Sequence, residues 1–166
     1  LAMLPRENAF RTAARWYINN AAANALETTG GVQASGDIKA AGGFKQDYSF
    51  MQSDVAASQS AVALDVLGLS GNTEIVMPYA GSVMGISVAS NAARTGGTLT
   101  VDATINGTAT GLQAVLDGTN TQYKHTTQAK DTRGFAAGDR LGVKITTDAD
   151  WAPTTADIVV TVIVEM

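Results

Sequence analysis

Cysteine is absent from this chain of 166 residues, which removes disulfide scaffolds, thiolate metal sites and cysteine nucleophiles together. A single histidine, His125, leaves no multi-histidine metal centre within one chain, and any Ser-His-Asp arrangement would have to run through it. Basic surplus is missing as well: 11 Lys and Arg face 15 Asp and Glu, for a net charge of -4, so no nucleic-acid partner is expected. No apolar run approaches the length of a membrane span, and no membrane partner is expected. The chain opens on Leu1 without a basic start and apolar stretch, so no signal peptide is expected; the start reads as processed or as the ordered part of a longer chain. Gly30-Gly31 and Gly96-Gly97 do not continue into Gly-Lys-Ser/Thr, so neither is a phosphate loop. No cofactor is expected.

What the chain does have is alanine (28 residues), threonine (20) and glycine (17), and these divide unevenly. Residues 1–60 carry five basic and five acidic residues and few large apolar side chains; residues 61–166 carry six basic and ten acidic residues and most of the Val, Ile and Thr. Composition therefore predicts an N-terminal arm over 1–60 and a β-domain over 61–166. Pro5 to Leu26 reads as a helix: Pro5 suits a first helical position, Glu7 favours the first turn, and Phe10, Ala14, Tyr17 and Ala21 recur at helical spacing. Its narrow, alanine-rich stripe buries little by itself and needs a partner surface. Either the helix anchors the chain to something else or it caps its own domain. Beyond it, residues 30–60 are interrupted by glycines and lack a sustained period, as in an extended arm. Phe44, Tyr48 and Phe50 would share one side of such a segment, or of a short strand edging the main domain.

From residue 61 the period becomes two. Leu99, Val101, Ala103 and Ile105 alternate with polar residues, and Asn106-Gly107 follows, a pair that accepts the positive φ angles of a tight hairpin. The return strand runs from Thr108 towards Leu116, and Asp117-Gly118 with Asn120 marks the next turn. Further strands are expected at Ala61–Leu67, Glu74–Tyr79, around Met84, Ile86 and Val88, at Thr121–Gln128 as a polar edge, and around Leu141, Val143 and Ile145. Ile158–Val164 is nearly continuous in apolar residues and reads as a strand buried on both faces. About eight strands in about a hundred residues predict a mostly β fold, a sandwich or small barrel, with a jelly roll preferred over an immunoglobulin-like order.

Several phrases resemble a known group. Met77-Pro78-Tyr79-Ala80-Gly81-Ser82-Val83-Met84-Gly85-Ile86-Ser87-Val88 is followed by Gly96-Gly97-Thr98-Leu99-Thr100-Val101 and Asn106-Gly107. Then come Phe135-Ala136-Ala137-Gly138-Asp139-Arg140-Leu141-Gly142-Val143 and Trp151-Ala152-Pro153. This pattern, over residues 61–166, resembles the β-sandwich domains of tailed-phage virion proteins: head decoration (cement) proteins, head fibres and related trimeric fibre tips. The resemblance implies a tumour-necrosis-factor-like jelly roll, a homotrimer, and a place on the capsid exterior with the major capsid protein as partner. Residues 1–60 carry no such likeness.

Candidate chemistry is sparse. His125, within Gln122-Tyr123-Lys124-His125-Thr126, has no nucleophile or orienting carboxylate suggested by sequence and reads as an exposed strand residue. Asp148-Ala149-Asp150, with Thr146, Thr147 and Asp157 near, is oxygen-rich but lacks the ligand ladder of a calcium loop, and reads as a solvated turn. No metal is expected. Asn106-Gly107-Thr108 matches a glycosylation acceptor, which the hairpin already explains. The expected function is a non-enzymatic structural protein that decorates and stabilises a capsid. Phe10, Trp16, Tyr17, Phe44, Tyr48 and Phe50 are the candidate contacts of the arm with the shell, since large aromatics dominate such contacts. The alternative is a fibre-tip or host-surface, glycan-binding module, for which Tyr123, Phe135 and Trp151 are the available loop aromatics. A polysaccharide hydrolase would need two positioned carboxylates, and no pair stands out.

Overall fold

Alternating side chains let each strand place one row of apolar groups inward, and two antiparallel sheets result. The computed structural model describes residues 44–166. Its strands are β1 (Lys45–Gln52), β2 (Val62–Ala63), β3 (Asp65–Val66), β4 (Glu74–Val76), β5 (Gly81–Ser90), β6 (Leu99–Ile105), β7 (Thr108–Leu116), β8 (Tyr123–Thr127), β9 (Gly134–Phe135), β10 (Arg140–Thr147) and β11 (Ile158–Glu165). One sheet has the order β3-β1-β11-β5-β8, with β9 on β5; the other has the order β2-β10-β6-β7, with β4 on β10. The described fold is mostly β and sandwich-like, and no helix occurs among the described residues. The helix expected over Pro5 to Leu26 lies outside them.

Between the sheets lie Phe50, Val83, Ile86, Val88, Val160 and Val162 from the first and Leu99, Val101, Ala103, Leu141, Val143 and Ile145 from the second, all buried. Each fully buried large aliphatic stabilises the fold by about 1.5–3 kcal/mol. The Asn106-Gly107 turn forms as its chemistry demands, with φ of 51° and 74°. Thr121–Gln128 is indeed an edge: β8 ends its sheet and none of its residues is buried.

Four expectations need correction. The boundary near residue 60 falls inside the sandwich, because β1 pairs with β11 over eight residues from Lys45↔Glu165 to Gln52↔Ile158. Val55 is also buried, and its carbonyl accepts the indole N–H of Trp151 at 3.1 Å. The stretch Ala61–Leu67 is not one strand: β2 joins β10, while β3 joins β1 in the other sheet. The chain crosses between sheets at the buried Leu64. Met84 does not share a face with Ile86 and Val88. A bulge, in which Ile163 opposes Gly85 but Val164 opposes Val83, inserts Met84 and reverses the alternation, so Val83 and Ile86 both point inward. Finally, β11 is buried on one face only: Ile158, Val160, Val162 and Val164 are in the core, while Val159 and Ile163 stay exposed.

Candidate functional site

The sequence phrases singled out above are largely consumed in closing the two ends of the sandwich. At one end, the Asn106 side-chain amide donates to Asp139 Oδ1 (2.8 Å), and the Ala136 N–H donates to Asp139 Oδ2 (2.7 Å). The Asn106 amide beside it and the Ala136 N–H hold the Asp139 carboxyl below its usual value of 3.8. The Met77 N–H donates to the Asp139 carbonyl and the Gly138 N–H to the Met77 carbonyl, both at 2.8 Å. The Met77-Pro78-Tyr79 stretch, the hairpin and the Phe135–Arg140 loop are thereby tied into one unit.

At the opposite end, Ala152 N–H donates to the Gly96 carbonyl at 3.1 Å, and Thr98 Oγ1 donates to Asp148 Oδ2 at 2.8 Å. Gly97 has φ of +65°, and a Cβ there would collide with Asp148 Oδ1 and the Trp151 nitrogen, so only glycine fits. The Asp148 carboxylate is committed to this closure, its Oδ1 accepting from the Asp150 N–H at 3.1 Å. Among the described residues, no three His, Asp or Glu side chains converge as a metal site.

The six candidate contact residues fare differently. Phe10, Trp16 and Tyr17 lie outside the described residues. Phe50 is fully buried in the core, opposite Val160, and is not available to a partner. Tyr48 is half-buried and packs against the same core. Phe44 is 64% exposed, just ahead of β1, where its backbone pairs with Met166. Even spacing did place Tyr48 and Phe50 on one side, but that side is the interior. Of the aromatics considered for glycan binding, Phe135 and Trp151 are buried, leaving Tyr123 exposed on β8.

His125 also lies on β8, exposed, opposite Ser87. No hydrogen bond links its imidazole to a described carboxylate or hydroxyl. It belongs to a surface rather than to a constellation. On the outer side of the first sheet, the registers align three rows across β1, β11, β5 and β8: Met51–Val159–Ala89–Tyr123, Ser49–Thr161–Ser87–His125 and Asp47–Ile163–Gly85–Thr127. Gly85, Ser87 and Ala89 make a low floor along β5. An open hollow of about 310 Å³ lies over Ser87 and Ala89, between Tyr123 and His125 on one side and Val159 and Thr161 on the other. It leads towards a second hollow of about 180 Å³ between Thr127 and Ile163. Tyr123 is 66% exposed, Val159 39% and Ile163 38%. Beyond the third row, Lys130 donates to the buried Glu165 at 2.6 Å, and the Asp131 N–H donates to Ser82 Oγ, so that loop covers the next row, Lys45–Glu165–Ser82.

This surface was not picked out from the sequence. Its signal was present in the continuous apolar run of β11, which supplies more apolar side chains than one sheet face against one core requires.

No family model matches the chain, and no curated protein matches it. Among solved structures it is similar to a chain in the cyanophage Pam1 capsid asymmetric unit, with 15% identity and a TM-score of 0.44, covering 81% of this chain and 94% of that one. It is similar also to a chain in the acidic stable capsid structure of Helicobacter pylori bacteriophage KHP30, with 13% identity and a TM-score of 0.44, covering 74% of this chain and 87% of that one. Likeness at this distance assigns neither a family nor a function.

Proposed function

We propose that the protein is a non-enzymatic structural component of a phage virion that decorates the capsid exterior as a homotrimer, with the major capsid protein as its partner. The observation that carries this reading is the coincidence of the resembling phrases with the two closed ends of the sandwich: each phrase has a fold-building task, and none is left over for catalysis. The strand orders β3-β1-β11-β5-β8 and β2-β10-β6-β7, with sequence neighbours β5 and β6 in opposite sheets, support a jelly roll. Attachment to the shell is assigned to the residues ahead of β1, where Phe10, Trp16 and Tyr17 offer large aromatic side chains.

The test is location and binding. Quantitative mass spectrometry of purified particles should find many copies per head; a few copies confined to the tail would instead support a fibre-tip role. In co-sedimentation with undecorated heads, Trp16→Ala should weaken attachment by about 1–4 kcal/mol. Equal binding by parent and variant would move the contact away from this residue.

A further inference from the structure

We propose that Asn106 is a deamidation site that the fold keeps latent: the Phe135–Arg140 loop holds its side chain off the Gly107 nitrogen, and once it has reacted this end of the sandwich cannot close again.

The reactivity is local chemistry. Of the chain's eight asparagines, Asn106 alone is followed by glycine. Deamidation begins when the backbone nitrogen of the next residue, having lost its proton to hydroxide or water, attacks the asparagine Cγ. A nitrogen–carbon bond forms, the side-chain nitrogen leaves as ammonia, and a succinimide ring remains. Water then opens the ring at one carbonyl or the other, giving aspartate or isoaspartate. A side chain on the following residue crowds the attack, and glycine has none. The pair that suits the tight turn is therefore also the pair that reacts fastest in a flexible chain.

The restraint is tertiary. Asn106 is exposed, so water reaches it, and its freedom to move decides its fate. Its side-chain N–H donates to Asp139 Oδ1 at 2.8 Å, and its Oδ1 accepts from the Arg140 N–H at 3.0 Å. Its backbone N–H donates to the Arg140 carbonyl at 2.8 Å, and the Gly107 carbonyl accepts from Lys144 Nζ at 2.6 Å. Both polar atoms of the side-chain amide are thus committed to the loop, and the turn is fixed on either side of the reacting bond. To carry Cγ onto the Gly107 nitrogen the side chain has to leave both partners. Reaction then waits for local opening, and the open population sets the rate.

The products do not fit the clasp. Aspartate has no N–H to give Asp139 and sets a second carboxylate beside it. Isoaspartate adds a carbon to the backbone of a turn whose register, Ile105↔Thr108 and Leu141↔Ile105, is built on two residues. Asn91 provides an internal control. Its side chain is held in the same reciprocal way, donating to Asp157 Oδ2 at 3.0 Å and accepting from the Asp157 N–H at 2.9 Å, but Ala92 follows it.

The experiment incubates the full chain in mildly alkaline buffer below its melting temperature and reads each asparagine by peptide mass mapping. In guanidinium chloride the parent should lose the Asn106 amide before any other. The native parent should lose it at least about tenfold more slowly, the factor expected from holding one charge-assisted hydrogen bond. Folded Asp139→Ala should regain about tenfold at Asn106 and leave Asn91 unchanged, while Asp139→Asn, which keeps an acceptor oxygen, should fall between the two. Should Asp139→Ala fail to fold, hydrogen exchange in the parent replaces it. The Arg140 N–H, whose acceptor is the Asn106 side chain, reports opening of the clasp, and deamidation should be slowed by the same factor. Equal rates in native and unfolded chains overturn the proposal. So does a folded Asp139→Ala variant that reacts as slowly as the parent, or a parent slowed far beyond the opening seen at Arg140, since either assigns the protection to the turn alone. Deamidated protein that melts like the unmodified chain overturns the claim that this end cannot close again.

Discussion

The outer faces of the two sheets solve the same problem in opposite ways. Sheet β2-β10-β6-β7 turns polar groups outward and satisfies them within the chain. Asp102 accepts from the Gly111 N–H at 3.1 Å and from the Gln113 side-chain amide at 2.8 Å, Lys144 donates to the Gly107 carbonyl, and Arg140 pairs with Glu74 at 3.2 Å. Sheet β3-β1-β11-β5-β8 turns outward Val159, Ile163, Met51 and Ala89 with a middle row of hydroxyls, of which Ser49 and Thr161 bond each other at 3.3 Å. In the β2-β10-β6-β7 sheet the polar groups are bonded within the chain, while Val62 and Val76 stay exposed on its outer strands; in the other sheet Val159 and Ile163 are exposed on a central strand, and apolar area left in water costs free energy. Both sheets supply the core, so the difference lies in their outer faces.

The comparison can be broken at several points. The largest effect concerns the open sheet's own integrity. A chain begun at residue 61 lacks β1 and Val55, strips one side of β11 and removes Phe50, so it should not melt cooperatively. A chain begun at residue 44 should do so. Thermal melting by circular dichroism separates the two, and a cooperative melt for the shorter chain would show that β1 is an accessory. Next in size, Phe50→Ala should cost about 3–5 kcal/mol in denaturant unfolding, as for a large aromatic lost from a core.

A smaller effect tests the asymmetry of the faces directly. Asp102→Ala leaves the Gly111 N–H in the bulge of β7 without its acceptor and should cost about 1–3 kcal/mol. Val159→Thr, on the open face, should change the stability of a single subunit by less than about 0.5 kcal/mol. Equal costs at the two positions would erase the distinction.

The smallest effect is electrostatic. In the folded chain Asp139 titrates below 3.8, so its contribution is present above its unfolded value and fades as pH falls through the folded one. Parent and Asp139→Asn should therefore differ in melting temperature at neutral pH and converge in acid. A gap that stays constant with pH would assign the effect to geometry rather than to the carboxylate's charge.

Much of this was legible locally. The hairpin at Asn106-Gly107, the inward row Leu99, Val101 and Ala103, the inward row Leu141, Val143 and Ile145, and the polar edge at Tyr123–Thr127 all follow from period and turn chemistry, which act over a few residues. The failures share a cause. For Phe50 the sequence leaves an arm and a short strand at the edge of the domain both open, because Lys45–Gln52 is only moderately apolar; its place is set by pairing with β11, more than a hundred residues later. Met84 was assigned to the wrong face because its bulge depends on the register against Ile163 and Val164. Asp148 reads as part of a solvated turn, and the structure adds what no local pattern shows, that its oxygens accept from Thr98 and Asp150.

Composition, alternation and turn residues by themselves determined that the described part of the chain is mostly β, where most of its strands run and which side chains can form a core, because these depend on backbone sterics and hydrophobicity over short spans. Only the tertiary structure decided that β1 belongs to the sandwich, that the resembling phrases meet at its two ends, and that one face of β11 is left open. Each of those depends on partners distant in sequence, and no local pattern encodes which strand a given edge will find.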